Sequence, residues 1–285
     1  MAEVRHRYAS VRGHEVFYRE AGPADAPVVV LLHGFPTSSR MFRHLIPALA
    51  DRFHVIAPDH LGFGRSATPS ADEFTYSFDA LTDVTEELLA QLGVERYALY
   101  VQDYGAPIGW RLALRQPHAV TAIVTQNGNA YDEGFVPGFW APVWAYAETP
   151  TPSTEAAVRE ALTEEAIRWQ YLHGVAEPER VDPDTWTTDH REISRPGLDR
   201  IQLALFRDYA TNPPLYPRLH AYFRTSQVPL LAIWGAEDEI FGPEGARAFT
   251  KDLKDARVQL VPGGGHFLLE SHLDTVAEAM RAFLA

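Results

Sequence analysis

The chain has 285 residues, enough for one large α/β domain or a core domain with an insertion. At 46% apolar and 22% charged residues it can fill a packed core, which excludes wholesale disorder. Lys and Arg total 25 against 38 Asp and Glu, and this net charge of −13 argues against nucleic acid and anionic membrane as partners, while the absence of cysteine excludes disulfides, thiolate nucleophiles and Cys-held metal clusters.

Met1 to Ser10 is polar and mixed in charge, unlike the apolar stretch of a signal peptide. Val28 to Leu32 is a β-branched-rich run of strand length, far short of a membrane span, that stops at His33-Gly34. A soluble, cytoplasmic protein is expected. Ser39 to Arg52 reads as helix and His54 to Pro58 as a short strand. From Ser77 a helix is predicted, with Phe78, Leu81, Val84, Leu88 and Leu92 on one stripe and Gly93 as its stop. Tyr97 to Gln102 follows as strand, Ala106 to Gln116 as helix ended by Pro117, and Ala119 to Gln126 as strand. This alternation predicts an α/β fold with a doubly wound, mostly parallel sheet.

From about Tyr131 to Phe223 no buried strand is legible; helices are expected over Thr154 to Leu172 and Asp199 to Tyr209. The alternation resumes with strand Val228 to Trp234, helix Pro243 to Leu253, strand Val258 to Val261 and helix Asp274 to Leu284. The expected organisation is a core from 1–130, an inserted helical cap over 131–225, and the rest of the core over 226–285.

Four places in this frame bear on chemistry. Val101-Gln102-Asp103-Tyr104-Gly105 lies at a strand-to-helix junction, where a polar residue on a sharp turn followed by glycine is the arrangement of a nucleophile elbow; alone, Asp103 reads more readily as a helix cap. His266 follows Gly263-Gly264-Gly265, which let the loop fold tightly and present an imidazole at the sheet edge. Asp238, flanked by Glu237 and Glu239, lies just past a strand and could orient that imidazole, or be a plain turn acid. His33-Gly34-Phe35-Pro36 ends the first core strand, where the N–H of Phe35 could join that of Tyr104 as an oxyanion hole. The joint order of nucleophile, acid and histidine, each after a successive strand and with an insertion before the acid, favours catalysis over coincidence.

Those residues resemble the α/β-hydrolase superfamily, in particular its Asp-nucleophile branch of epoxide hydrolases and haloalkane or haloacid dehalogenases, over almost the whole chain and least in the cap. His33-Gly34-Phe35-Pro36 is similar to the oxyanion motif of epoxide hydrolases, Pro36-Thr37-Ser38-Ser39 is similar to dehalogenases, and Asp59-His60-Leu61-Gly62-Phe63-Gly64-Arg65-Ser66 is similar to the superfamily's D-x-x-G-x-G-x-S loop. Gly242-Pro243 after Asp238 is similar to dehalogenases that carry their acid after this strand. The resemblance implies Asp103 as nucleophile, His266 as base, Asp238 as its partner, and Phe35 and Tyr104 as oxyanion donors. A carboxylate there would attack an sp³ carbon and form an alkyl–enzyme ester, which water activated by His266 would hydrolyse.

The branch point is what stabilises the leaving atom. By resemblance, epoxide hydrolases use two cap tyrosines, and dehalogenases commonly a Trp after the nucleophile plus a Trp or Asn elsewhere. Here Tyr104 follows Asp103, and Phe35 stands where one group of dehalogenases has Asn. The cap offers Tyr146, Tyr171 and Tyr209 as hydroxyl donors and Trp140, Trp144 and Trp169 as indole donors; Tyr171 and Tyr209 are preferred, with Phe206 where a tyrosine is expected. Epoxide hydrolysis is the preferred reading, dehalogenation the alternative, and an esterase-like enzyme or a non-catalytic small-molecule receptor the further alternatives. The expected substrate is a small apolar or amphiphilic organic molecule, with no metal and no cofactor.

Overall fold

Runs rich in Val, Ile, Leu and aromatic residues become the inner strands of one eight-stranded sheet in the computed structural model, which describes residues 3–285. The strands are β1 (Arg5–Val11), β2 (His14–Ala21), β3 (Val28–Leu32), β4 (His54–Pro58), β5 (Tyr97–Gln102), β6 (Val120–Gln126), β7 (Leu230–Gly235) and β8 (Arg257–Val261). Their spatial order is β1-β2-β4-β3-β5-β6-β7-β8; β1 and β2 are antiparallel, and β2 meets β4 antiparallel, while all pairs from β4 to β8 are parallel. Every residue of β5 and β7 is buried, as a parallel sheet covered on both faces requires.

The helices in chain order are α1 (Leu45–Leu49), α2 (Phe78–Gln91), α3 (Gly105–Arg115), α4 (Pro137–Glu148), α5 (Pro152–Arg159), α6 (Glu164–Leu172), α7 (Asp184–Ile193), α8 (Leu198–Asp208), α9 (Tyr216–Ser226), α10 (Pro243–Ala248), α11 (Leu268–Ser271) and α12 (Leu273–Phe283). Helices α4 to α9 all stand between β6 and β7. The Ser77 hydroxyl caps α2 by accepting from Ala80 N–H, which fixes its start where the sequence pattern put it.

Three expected helices need correction, and one hairpin was not foreseen. The N-terminal segment forms the β1–β2 hairpin, turning at Arg12 (φ 50°) and Gly13 (φ 81°), both left-handed as a two-residue hairpin turn demands. Most of β1 is exposed, so it shows no apolar alternation to find. The helix expected over 39–52 splits into a 3₁₀ turn, Ser39–Phe42, and α1, because Pro47 has no N–H to give the carbonyl of Arg43. The helix expected over 154–172 breaks at Thr163, whose hydroxyl accepts from Ala166 N–H and starts α6 afresh. Likewise the helix expected over 243–253 is α10 followed by a 3₁₀ turn, Phe249–Lys251.

The chain runs from β3 to β4 on one side and then to β5 on the other, so the strand order reverses between β3 and β5. The crevice outside the carboxyl ends of strands at such a reversal is where open α/β sheets bind ligands. The loops after β3 and β5 both empty into it.

Candidate active site

Asp103 follows β5 with φ 47°, a left-handed conformation that costs a non-glycine residue about 1 kcal/mol or more and is held here by its surroundings. The elbow depends on two close approaches. A Cβ on Gly105 would lie 2.1 Å from the carbonyl oxygen of Leu32, and one on Gly34 would lie 2.3 Å from Cβ of Asp103. Both glycines are therefore required by packing, and they bring the 33–36 loop against the carboxylate.

Oδ1 of Asp103 accepts the N–H of Phe35 at 2.7 Å, and the N–H of Tyr104 also reaches the carboxylate. Oδ2 lies 3.9 Å from Nε2 of His266. Burial raises the pKa of Asp103, opposed by His266 and by these two backbone donors. His266 Nδ1 meets Oδ2 of Asp238 at 2.9 Å. Burial works against the charged imidazole, but the charge and hydrogen bond of Asp238, with help from Asp103, outweigh it and raise the pKa of His266. The neighbours of Asp238 are occupied elsewhere: Glu237 accepts Gly263 N–H, and Glu239 faces His173.

Four expected residues, Phe35, Asp103, Asp238 and His266, thus converge with the backbone of Tyr104 on one point. The sequence reading missed the scaffold around them. Asn127, directly after β6 with φ 49°, donates from Nδ2 to Oδ2 of Asp238 at 2.7 Å and accepts Gly235 N–H at 3.1 Å. Gln126 donates to the carbonyl of His266 at 2.9 Å. The amide of Gln102 lies 2.9 Å from His266 Nε2, where its N–H meets the ring's free lone pair. The position of these polar residues at the ends of β5 and β6 was the available signal.

His33 and His60 are also structural members of the site. His33 Nδ1 donates to Gly34 O at 3.0 Å, its Nε2 accepts His60 N–H at 3.1 Å, and His60 Nε2 donates to His33 O at 2.9 Å. Burial holds His33 down to about 4 and His60 well below its usual value, so both stay neutral at pH 7 and clamp the loop that carries Phe35.

The cap residues separate into two groups. Tyr209 is buried, with its ring 5.9 Å from that of Tyr104 and 4.4 Å from that of Trp140. Phe206 covers Phe35 at 5.2 Å. Tyr171, in contrast, does not present a free hydroxyl: it donates to Asp189 of α7 while its ring stacks on Phe267 at 3.8 Å. The indole of Trp140 is committed to the carbonyl of Ile240 at 2.8 Å, and Trp169 is 37% exposed beside His173. Tyr146 borders a separate surface cleft with Arg159 and Arg207.

Burial raises Asp189 to about 6 despite hydrogen bonds from Tyr171 and Thr37. A carboxyl raised on folding contributes stability below its unfolded value, near 3.8, and loses it as pH rises through 6. The shift of roughly two units corresponds to about 3 kcal/mol. The expected result is that urea unfolding of Asp189→Asn, compared with the parent, shows a stability difference that moves in the variant's favour by about that amount between pH 3 and 7. A difference that stays flat would contradict the raised value.

Among the described residues no helix is long and apolar enough to cross a membrane, and no group of three or more His, Cys, Asp or Glu is placed to hold a metal ion.

A family profile described as alpha/beta hydrolase fold matches residues 27–273. The chain is 44% identical over 283 residues to an uncharacterized hydrolase of Saccharomyces cerevisiae, covering 98% of this chain and 97% of that one. It is 30% identical over 306 aligned positions to a haloalkane dehalogenase of Bradyrhizobium diazoefficiens, covering 99% and 95%. The solved epoxide hydrolase CorEH superposes with a TM-score of 0.79 at 21% identity over 99% of both chains, a likeness of fold. With the parallel sheet, the insertion after β6 and the matched profile, the chain belongs to the α/β-hydrolase family.

Proposed function

We propose that this hydrolase uses Asp103 as a covalent nucleophile and opens epoxides to diols. The observation that carries the reading is the division of labour on one carboxylate: Oδ1 accepts the Phe35 N–H, the Tyr104 N–H also reaches the carboxylate, and Oδ2 faces Nε2 of His266 at 3.9 Å. Oδ2 attacks an epoxide carbon, the ring C–O bond breaks, and the oxygen takes a proton from a tyrosine hydroxyl. Water then attacks Cγ of Asp103 as His266 Nε2 removes its proton; the negative charge develops on Oδ1, which already accepts the Phe35 N–H, with the Tyr104 N–H beside the same carboxyl group. The Cγ–Oδ2 ester bond breaks, the diol leaves with a proton from the imidazolium, and the second proton of the water, left on the Asp103 carboxyl, returns to the tyrosinate so that carboxylate and phenol are both restored. Gln102 must give up its place at Nε2 for the water to enter.

Tyr209 supports the epoxide branch, because its buried ring lies against Tyr104 and its hydroxyl has no protein partner among the described residues. The second donor assigned to Tyr171 is withdrawn, since that hydroxyl is already given to Asp189. Tyr216 takes its place as the candidate: it is buried, and its hydroxyl is close enough to Tyr209 to oppose ionisation there. Losing one hydroxyl donor to a developing oxyanion costs on the order of 10²-fold in kcat, so Tyr209→Phe is expected to lower styrene oxide turnover by about that factor while binding changes little. Unchanged kcat would remove Tyr209 from the reaction.

The likeness to a haloalkane dehalogenase favours halide release as the second reading. Against it, Trp140 spends its N–H on Ile240, and no indole follows the nucleophile. Turnover of styrene oxide, bromoalkanes and p-nitrophenyl esters measured side by side decides: epoxide opening without bromide release supports the first reading, and bromide release without diol overturns it.

The pH profile tests His266. It must be neutral to accept the water proton, so kcat falls on the acid side through a pKa raised above 6.5 by Asp238. Asp238→Asn removes that charge; the acid limb is expected to move to lower pH while kcat drops at least about 10²-fold. A limb that stays in place would sever the link between the two residues.

A further inference from the structure

A cleft of about 580 Å³ opens at the seam between the core and α7, with Asp189, the partner of Tyr171, in its lining. It is lined by Arg19, Arg40, Arg43, Arg65, Arg191 and Arg195, six of the 25 basic side chains in an acidic chain. Only three carboxylates, those of Asp59, Asp189 and Glu192, share the lining. Like charges at this density repel, and nothing in the packing of the fold demands them together.

The arginines are unequally compensated. Arg43 is held by Glu270 through two bonds of 2.8 and 2.7 Å, and Arg195 rests on Glu192 at 3.5 Å and on the carbonyl of Gly64 at 3.2 Å. Arg191 reaches Glu192 only at 4.0 Å, and Arg19 bonds to Ser39 and His6, neither of them an anion. Arg40 and Arg65 use their backbone N–H groups on Ser38 and Asp59, but among the described residues their guanidinium groups have no carboxylate within 4.0 Å. The carboxylate of Asp59 is itself buried and occupied by Ser39 N–H and Arg65 N–H, both at 2.8 Å. The excess charge is felt nearby: burial lowers Arg19 and His6, and Arg65 acts on both in the same direction.

We propose that this cleft binds a small phosphate monoester, its phosphate bridging Arg40 and Arg65 of the core to Arg191 and Arg195 on or just after α7. A dianionic group with three free oxygens can take guanidinium forks from both walls, which a single carboxylate cannot. The volume exceeds what a bare phosphate fills, and Tyr8, 51% exposed at the rim, offers a flat ring to an organic body. Thr37, two residues past the oxyanion donor Phe35, also lines the cleft, so the ligand would tie the catalytic loop to the helical block. This inference does not depend on which bond the enzyme cleaves.

The test is calorimetric titration of the full chain at constant ionic strength with phenyl phosphate, inorganic phosphate and benzoate. Saturable binding of phenyl phosphate is expected, several-fold weaker binding of inorganic phosphate, and at least tenfold weaker binding of benzoate. Arg40→Ala with Arg65→Ala should weaken phenyl phosphate at least tenfold, and Arg191→Glu, from the opposite wall, should do the same; circular dichroism checks that both fold. Inorganic phosphate binding as tightly as phenyl phosphate would overturn the organic body. No saturable heat up to about 10 mM, or equal affinity in both variants, would overturn the site itself.

Discussion

Asp103→Asn is expected to lower kcat by about 10⁴-fold and to leave the fold intact. An amide oxygen still accepts the Phe35 N–H, so the elbow keeps its hydrogen bond, but a neutral amide is not a nucleophile toward carbon. The loss must come from the chemical step, with substrate binding nearly unchanged. A single turnover in ¹⁸O-water with the parent enzyme gives the complementary result. If the ester forms through Oδ2 and water attacks Cγ, the peptide containing Asp103 gains label while the first diol released is unlabelled. Label found only in the diol would mean direct attack by water on substrate, leaving Asp103 as a general base at most.

His266→Gln separates the two halves of the reaction. Attack by the Asp103 carboxylate needs no base, since a carboxylate has no proton to lose, but hydrolysis of the ester needs a proton acceptor at the water. The variant is expected to release or consume close to one equivalent of substrate and then stop, with steady-state turnover down on the order of 10³-fold and the alkyl adduct visible as added mass on the intact chain. Rapid steady turnover in this variant would remove the histidine from its role. With the Gln102 amide moved off Nε2, the 3.9 Å between Nε2 and Oδ2 lets one water touch both groups, which is the geometry this prediction rests on.

These two variants and Asp238→Asn probe residues that are far apart in the chain and adjacent in space. Asp103, Asp238 and His266 follow β5, β7 and β8, and the parallel register delivers all three strand ends to the same edge. The scaffold behind them is polar and continuous: Asn127 holds Asp238, Gln126 holds the backbone of His266, and the hydroxyl of Tyr100 donates to Gln126 at 3.0 Å. Such a buried network fixes the imidazole's position more tightly than the Asp–His contact alone could.

The amino-acid sequence by itself determined the alternation of strand and helix, the inserted helical stretch, and the identity of the elbow, acid and histidine loops. These features are local: a β-branched run, a glycine where chains must touch, or a polar residue at a strand end is written in a few adjacent letters. Tertiary structure alone decided the rest. Strand β1 has no apolar face to betray it, because it lies at the sheet's exposed edge. Asn127 and Gln102 look like ordinary polar strand ends until the sheet register sets them against Asp238 and His266. Tyr171 and Tyr209 are equivalent as letters, yet one hydroxyl is given to Asp189 while the ring of the other packs against Tyr104. These proton partners lie 18 residues away for Tyr171 and more than a hundred for Asn127 and Gln102, and no local pattern encodes them.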